Sequence, residues 1–573
     1  MNFQARSPKL ILKSERPARS VNRLGRGLTP ERFFISTKGF KKIATSNVNS
    51  ADADGVTAVI EPQDAVRPEL VPPSTAGMTT KVVKGSLWTL AGQVAPLGVS
   101  LVATPFTIRL LGAEGYGVLI LVGLIPTYLG FADLGMGIAS TKFGSEAYAA
   151  GDAEKEARTV RTAAVLSLLL SVPFGVAIFV LSGWLATLFN VPAHLHAEAS
   201  LALKVAAVTF VVNFLNQIFN TPQLDRLRMD LNTFVTSGFR MLGIAATPIV
   251  IYLGFGILGA VVVLLIASLA TLAGHIYVSG RLLPNLFDLS LDRTIIRPML
   301  KFGGALAIAS VAALTVANLE KLILPAFVTV RALAYYTVAF TLASMLTMFA
   351  FSMIQSLVPA FSQLQGERNR EQMQSLYSRS VRINLVLMLP ALVGLAIVAE
   401  TFFNAWAGPD FGRESIFPFY ILLIGLVLNI PAYLPYSVIM AVGRTDIFAK
   451  LYFAELAPYI FLVLLLTWYF GIFGAAIAWT IRIGMDAVLQ FYLAKKVAGL
   501  TWPPDFGVAI LTAGSLIVPP FLLHIYFGHL TVVTIGAFLI SVILYLLFVW
   551  KKILFSDERE RIIHRLERLR FSF

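Results

Sequence analysis

The sequence predicts an all-α polytopic membrane protein of about fourteen transmembrane helices: two six-helix bundles related by a pseudo-two-fold axis, plus a C-terminal helical hairpin. Three observations predict it. Of 573 residues, 57% are apolar and only 14% are charged, with mean hydropathy +0.76. Soluble domains hold about 45–50% and about 25%. The apolar residues come in runs of about 20, the length at which a helix spans a bilayer. Matching motifs recur about 217 residues apart, as in transporters built from repeats. This composition excludes a water-soluble enzyme and a disordered or fibrous chain. The absence of Cys excludes a disulfide scaffold.

Residues 1–80 read as a disordered, basic cytoplasmic tail, rich in Ser, Pro and Ala and without a sustained apolar period. Between Met1 and Lys42 stand eleven Lys/Arg against Glu15 and Glu31. The tail has no apolar signal-peptide core. Its Arg- and Ser-rich start resembles an organelle presequence, which the two acids argue against; Met78 offers an alternative start. The spans follow near 86–109, 115–140, 161–182, 200–222, 234–253 and 257–280, an N-terminal bundle over 81–281. A second bundle, 282–497, holds spans near 299–325, 331–358, 383–403, 415–441, 450–470 and 472–494. Spans near 507–525 and 530–550 form the extra hairpin, 498–551. The end segment, 552–573, sets Ile562, Ile563, Leu566 and Leu569 against Arg and Glu, an amphipathic cytoplasmic helix.

Loop charge predicts orientation. Loops after even-numbered spans carry Lys142, Lys155, Arg158, Arg226, Arg228, Arg281 and their counterparts in the second bundle. Loops after odd-numbered spans carry only Arg109, Arg331 and Arg413. The positive-inside rule therefore places the even loops and both termini of this multi-pass protein in the cytoplasm. The basic ends read as flanks of a membrane domain touching anionic lipid rather than nucleic acid.

The repeat is visible in four places. Gly115-Tyr116-Gly117-Val118 pairs with Ala334-Tyr335-Tyr336-Thr337, and Asn213 with Asn429. Arg228-Met229-Asp230 pairs with Arg444-Thr445-Asp446, and Gly256-Ile257-Leu258-Gly259-Ala260 with Gly471-Ile472-Phe473-Gly474-Ala475. Same-orientation halves predict an axis along the membrane normal and a cavity between them.

Soluble-enzyme motifs fail in context. Gly254-x-Gly256-x-x-Gly259 fits a dinucleotide fingerprint as a string, but it lies in a turn between two spans with no acid until Asp288. His194-x-His196-x-Glu198 is read as part of a mobile outer loop, without the converging ligands a metal needs. No Walker A loop is present, and no cofactor or metal is predicted.

Polar residues inside spans are costly and normally face the bundle interior. Asn213, Asn216, Gln217 and Asn220 share one helical face, offering donors and acceptors suited to sugar hydroxyls or to interhelical bonding. Asn429, Tyr433 and Tyr436 occupy the matching face in the repeat. Arg482 lies about mid-bilayer with Asp486 four residues on, a predicted intrahelical ion pair. Asn318, Glu320 and Lys321 end span 7, lining the cavity or snorkelling at the interface. Arg240 in span 5 has the same two readings, and Asp133 in span 2 faces the cavity or pairs with a cation.

Several of these residues resemble a known family. Leu110-Leu111-Gly112-Ala113-Glu114-Gly115-Tyr116-Gly117 resembles the L-G-x-x-x-(F/Y)-G opening of the second helix of bacterial polysaccharide flippases, and Asp133-Leu134-Gly135 resembles the D-L-G closing it. Asn318-x-Glu320-Lys321 is similar to their N-x-D-(K/R), with Glu for Asp, and Gly443-Arg444 to the G-R after helix ten. The family is the Wzx-type oligosaccharide flippases of the multidrug/oligosaccharidyl-lipid/polysaccharide (MOP) exporter superfamily; the resemblance covers about 86–500. It implies an oligosaccharide on undecaprenyl diphosphate, turned from inner to outer leaflet. The expected partners are that lipid-linked oligosaccharide, membrane lipids, and polysaccharide polymerase and export machinery. Arg482, Arg240, Lys321 and Arg109 would meet the diphosphate. The amides and tyrosines would meet sugars. The resemblance also implies a cation gradient, with Asp133, Glu320 and Asp486 as candidate couplers. Two alternatives stay open: a drug/cation antiporter of the same superfamily, and a membrane polymerase or glycosyltransferase. The first usually has twelve spans and an acid-lined cavity. The second needs a catalytic surface, and every outer loop here is short.

Overall fold

The computed structural model describes residues 75–283, 285–288, 290–364, 369–501 and 532–553, with single residues at 507, 519, 522, 523, 526 and 559. The predicted tail to residue 74, span 13 and the C-terminal amphipathic helix fall almost wholly outside these residues. Among them there is no strand, as expected where a bilayer offers no partner for open backbone groups.

The first half contains α1 (Thr75–Tyr128), α2 (Met136–Ala149), α3 (Ala153–Leu188), α4 (Ala193–Phe219), α5 (Thr221–Asp225), α6 (Met229–Val250) and α7 (Gly256–Leu282). The second contains α8 (Arg293–Phe327), α9 (Val330–Gln363), α10 (Arg370–Trp406), α11 (Pro409–Ala441) and α12 (Asp446–Ala498). A last helix, α13 (Val532–Phe548), coincides with predicted span 14.

Nine described helical stretches are long and apolar enough to cross a membrane. Three are double crossings, folded back at Gly112, at Gly254–Gly256 and at Gly471. Counted as hairpins, the nine stretches make the first twelve predicted spans. Capping residues start several helices. The Asp152 carboxylate accepts from the Lys155 amide at 2.9 Å, Asp292 from the Thr294 amide at 2.9 Å, and the Thr329 hydroxyl from the Ala332 amide at 3.0 Å. The Thr294 hydroxyl and amide hold the Asp292 carboxyl below the usual carboxylate range.

One predicted boundary is wrong. Span 2 does not run unbroken over 115–140. The chain leaves the helix at Leu129–Gly135, where Leu134 and Gly135 take φ of 50° and 67°, and resumes as α2. Apart from Asp133 the segment is apolar, so a hydropathy window runs through the break.

The halves repeat each other in packing. In the first, α4 packs on α1, α3 and α7, and α1 packs on α6; in the second, α11 packs on α9, α10 and α12, and α8 packs on α12. The repeat reaches single residues. Gly256 and Gly471 share φ 57° with ψ −148° and −130°, a backbone region that effectively requires glycine. Arg228–Asp230 and Arg444–Asp446 each form an ion pair at 3.0 Å.

At the Gly112 end the halves are sewn together. Arg331 pairs with Glu114 at 2.7 Å, Asn190 donates to the carbonyls of Pro325 and Ala326 at 3.2 and 2.8 Å, and the Trp406 indole donates to the Leu101 carbonyl at 2.8 Å. Gly117 lies so close to the Val330 carbonyl that a Cβ there would overlap it. Ile108 joins the core of the second half, while Val330 and Leu333 join that of the first. At the opposite, basic-loop end, Glu154 accepts from Arg158, Arg161 and Asn285, each at 2.9 Å, tying α3 to the connection between halves. Buried Glu156 pairs with Arg226 there.

Candidate functional site

A cavity of about 820 Å³ lies in the first half, with Leu314 of α8 contributing to its wall. The four amides predicted to share a face of α4 all line it, as does Arg240 of α6. They do not share one role. Asn213 accepts from the Ser268 hydroxyl at 2.6 Å, and Asn216 donates to the Ser268 carbonyl and hydroxyl at 3.2 Å each. These two amides bind α4 to α7 while facing the cavity. Gln217 and Asn220 make no side-chain hydrogen bond among the described residues; they also line an adjoining recess of about 440 Å³ with Thr141 and Lys142. The stripe is thus an interhelical clasp at one end and open amides at the other.

The wall also contains a residue that sequence reading missed. His275 of α7 is 1% exposed and touches the cavity, and both ring nitrogens are engaged. Nδ1 lies 3.0 Å from the Gln223 amide nitrogen and Nε2 lies 3.1 Å from the Thr236 hydroxyl. The available signal was a lone histidine inside a 27-residue apolar helix.

The second half holds a buried ionic cluster. Glu320 of α8 is fully buried and accepts from the Tyr459 hydroxyl at 2.8 Å. Arg482 pairs with Glu455 at 3.5 Å and lies 5.4 Å from the Tyr459 ring centre. The predicted Arg482–Asp486 ion pair is thus replaced by one to Glu455, on the other arm of the α12 hairpin. Asp486 instead accepts from Gln490 at 2.6 Å and neighbours Glu455. Lys321 neither snorkels nor stands free: its ammonium donates to Asn318 at 2.8 Å and sits 4.0 Å above the Phe340 ring. Three carboxylates face two cations here. Glu320, Glu455 and Asp486 each leave one buried oxygen without a partner among the described residues. Among those residues no group of three or more potential metal ligands converges.

Other candidates lie elsewhere. Arg109 donates to the Ala405 carbonyl at 2.5 Å at the Gly112 end and serves the seam between halves. Asp133 is buried and accepts from the Gly135 amide at 2.9 Å, capping the turn that breaks span 2. Asn429 is buried in α11, Tyr433 packs against the second-half core, and Tyr436 lies 4.2 Å from the Phe448 ring; none of the three lines the amide cavity. His194, His196 and Glu198 do not form a mobile loop but the start of α4. Glu198 accepts from the Ile257 and Leu258 amides at 2.5 and 3.1 Å, His196 bonds Thr187, and His194 faces Glu114.

This arrangement can hold a polar, anionic load in one half and balance charge in the other. Residues 108–411 match the family model described as Polysaccharide biosynthesis protein. A Shigella flexneri protein named "Putative O-antigen transporter" is 21% identical over 430 residues, 73% of this chain and 99% of its own. The fold resembles that of the lipid II flippase MurJ in an inward closed conformation, with TM-score 0.62 and 12% identity, over 82% of this chain and 99% of MurJ. It also resembles an inward-facing MATE-family multidrug transporter of the MOP superfamily, with TM-score 0.57 and 16% identity, over 72% and 94% of the two chains. The chain belongs to the polysaccharide biosynthesis protein family, the Wzx-type polysaccharide flippases of the MOP superfamily.

Proposed function

We propose that the protein carries oligosaccharide units linked to undecaprenyl diphosphate from the inner to the outer leaflet of a bacterial inner membrane, for O-antigen, capsule or exopolysaccharide. The observation that carries this reading is the 820 Å³ cavity, where open amides and the Arg240 guanidinium line one wall. Amides suit sugar hydroxyls, and a fixed guanidinium suits a diphosphate. The Gly112 end is sewn shut across the halves, which supports alternating access with the basic-loop end as the loading side. The positive-inside rule puts that side, and both termini, in the cytoplasm.

The second half supplies the coupling element. Its carboxylate excess leaves room for one added positive charge at Glu320, Glu455 or Asp486. In this scheme a polymerase and export machinery act downstream as separate partners, a reading supported by relatives named as a transporter and a flippase. Depletion of the protein in its host tests the reading. Completed carrier-linked units should accumulate in the cytoplasmic leaflet while surface polysaccharide is lost. Normal outer-leaflet units with a missing polymer would instead assign an enzyme acting after flipping. Unchanged glycan with new sensitivity to cationic drugs would assign an antiporter.

A further inference from the structure

The first-half cavity has a titratable group that the proposed transport scheme leaves unused. His275 is held from both sides by neutral partners, and the bonds run in one direction. The Gln223 amide donates to Nδ1, Nε2–H donates to the Thr236 oxygen, and the Thr236 hydroxyl donates to the Asn232 carbonyl oxygen at 3.3 Å. This chain fixes one neutral tautomer. It also contains the means of leaving that state. The Gln223 side-chain oxygen is buried and unpaired, on the same amide that now donates to the ring. Turning that amide by half a revolution would present an acceptor to Nδ1. Both ring nitrogens could then donate, as an imidazolium requires.

Among the described residues, no charged side chain bonds to the ring in the present state. On α5, Asp225 accepts from Ser145 at 2.6 Å and Arg226 pairs with Glu156. On α6, Arg228 pairs with Asp230, and Arg240 lines the cavity. On α7 itself, Arg281 bonds Tyr277 at 3.0 Å. On α4 the facing groups are neutral amides. The missing counter-charge is the one an anion in the cavity would bring.

We propose that His275 is a proton-binding site of the first half, filled when an anionic group such as a diphosphate occupies the cavity, with Gln223 turning its amide to accept the second ring proton. By linkage, an anion that raises the proton affinity of His275 is itself bound more tightly at low pH. The anion-binding part rests on the function proposed above; the protonation of the ring can be measured without it.

The test uses the full chain in phosphatidylglycerol-containing proteoliposomes, with inorganic diphosphate as probe. Histidine ¹⁵N spectra, assigned by loss of one signal in His275→Asn, should show Nε2–H alone without probe. With probe they should show a doubly protonated ring at pH 6. Diphosphate affinity should rise about tenfold more between pH 7.5 and 5.5 in the native chain than in His275→Asn, the size of one added charge several ångströms away. Gln223→Glu should fix the charged ring at pH 7.5 with or without probe and, by bringing the counter-charge itself, remove the extra pH dependence of diphosphate affinity. A ring that stays neutral with probe bound overturns the proposal, as does an identical pH dependence in the native chain and His275→Asn. If diphosphate binds with no loss in Arg240→Ala, the cavity is not its site. The substrate reading then fails, while the ring titrated across pH 5–8 still decides whether His275 takes a proton.

Discussion

Arg482 illustrates how a buried charge is decided by its surroundings. In sequence, the only partner within one helical turn was Asp486. In three dimensions the hairpin at Gly471 lays Glu455 beside it, 27 residues away, and that register is not written in local spacing. Removing one partner of a buried pair strands the other. Glu455→Leu should therefore cost about 3–5 kcal/mol, seen as a lower unfolding temperature in detergent. Adding Arg482→Met should recover much of the loss; an unchanged melt in the single variant would show that the pair contributes nothing. The amide stripe is a case where sequence spacing succeeded, because four polar groups at helical period can only share a face. Cys at Asn213, Gln217 and Asn220 should react with water-soluble thiol reagents, and Cys at half-buried Asn216, which lies against Ser268, should react more slowly. The native chain has no Cys to interfere. Equal protection at all four positions would make the stripe a dry contact.

At the scale of elements, hydropathy identified the crossings because the bilayer imposes length and apolarity on each. It could not say where a crossing folds back or breaks. The Gly256 and Gly471 turns were legible through the repeat, and the break at Leu129–Gly135 through Asp133-Leu134-Gly135, which resembles a helix close; hydropathy alone missed it, since one acid in an apolar run barely lowers the average. The close approach of α1 to α9 at Gly117 was also hidden, because a glycine in an apolar run has several explanations. Gly117→Val forces atoms into the Val330 carbonyl. Overpacking of about 1–3 kcal/mol should shift closure of the seam by about tenfold or more. Glycan export by correctly inserted variant should fall accordingly; full export would mean that the seam tolerates a wedge.

For the whole molecule, the two halves keep one scaffold and differ in content. The first carries neutral amides around a cavity, the second a buried ionic cluster, and the repeat motifs in sequence marked only the scaffold. The connection between them is tied to α3 through Glu154 and Asn285, and the alternating access proposed above would require the Gly112 seam to part. Glu114→Cys with Arg331→Cys, joined by a short bifunctional thiol reagent, should stop export. A cleavable version of the reagent should allow it to resume on reduction. Export that continues in the joined protein would mean the seam need not part.

The contact at Gly117 makes the seam behave as a gasket backed by a tether. Backbone-on-carbonyl contact has no slack: a gap of about 0.5–1 Å already forfeits a quarter to a half of the dispersion attraction. The Arg331 and Glu114 side chains, being long, can stay attracted while the gasket lifts. The seal is therefore lost abruptly and regained under electrostatic guidance. A half-open seam, through which protons would leak down the gradient that powers the cell, keeps only the Arg331–Glu114 attraction and none of the close packing at Gly117.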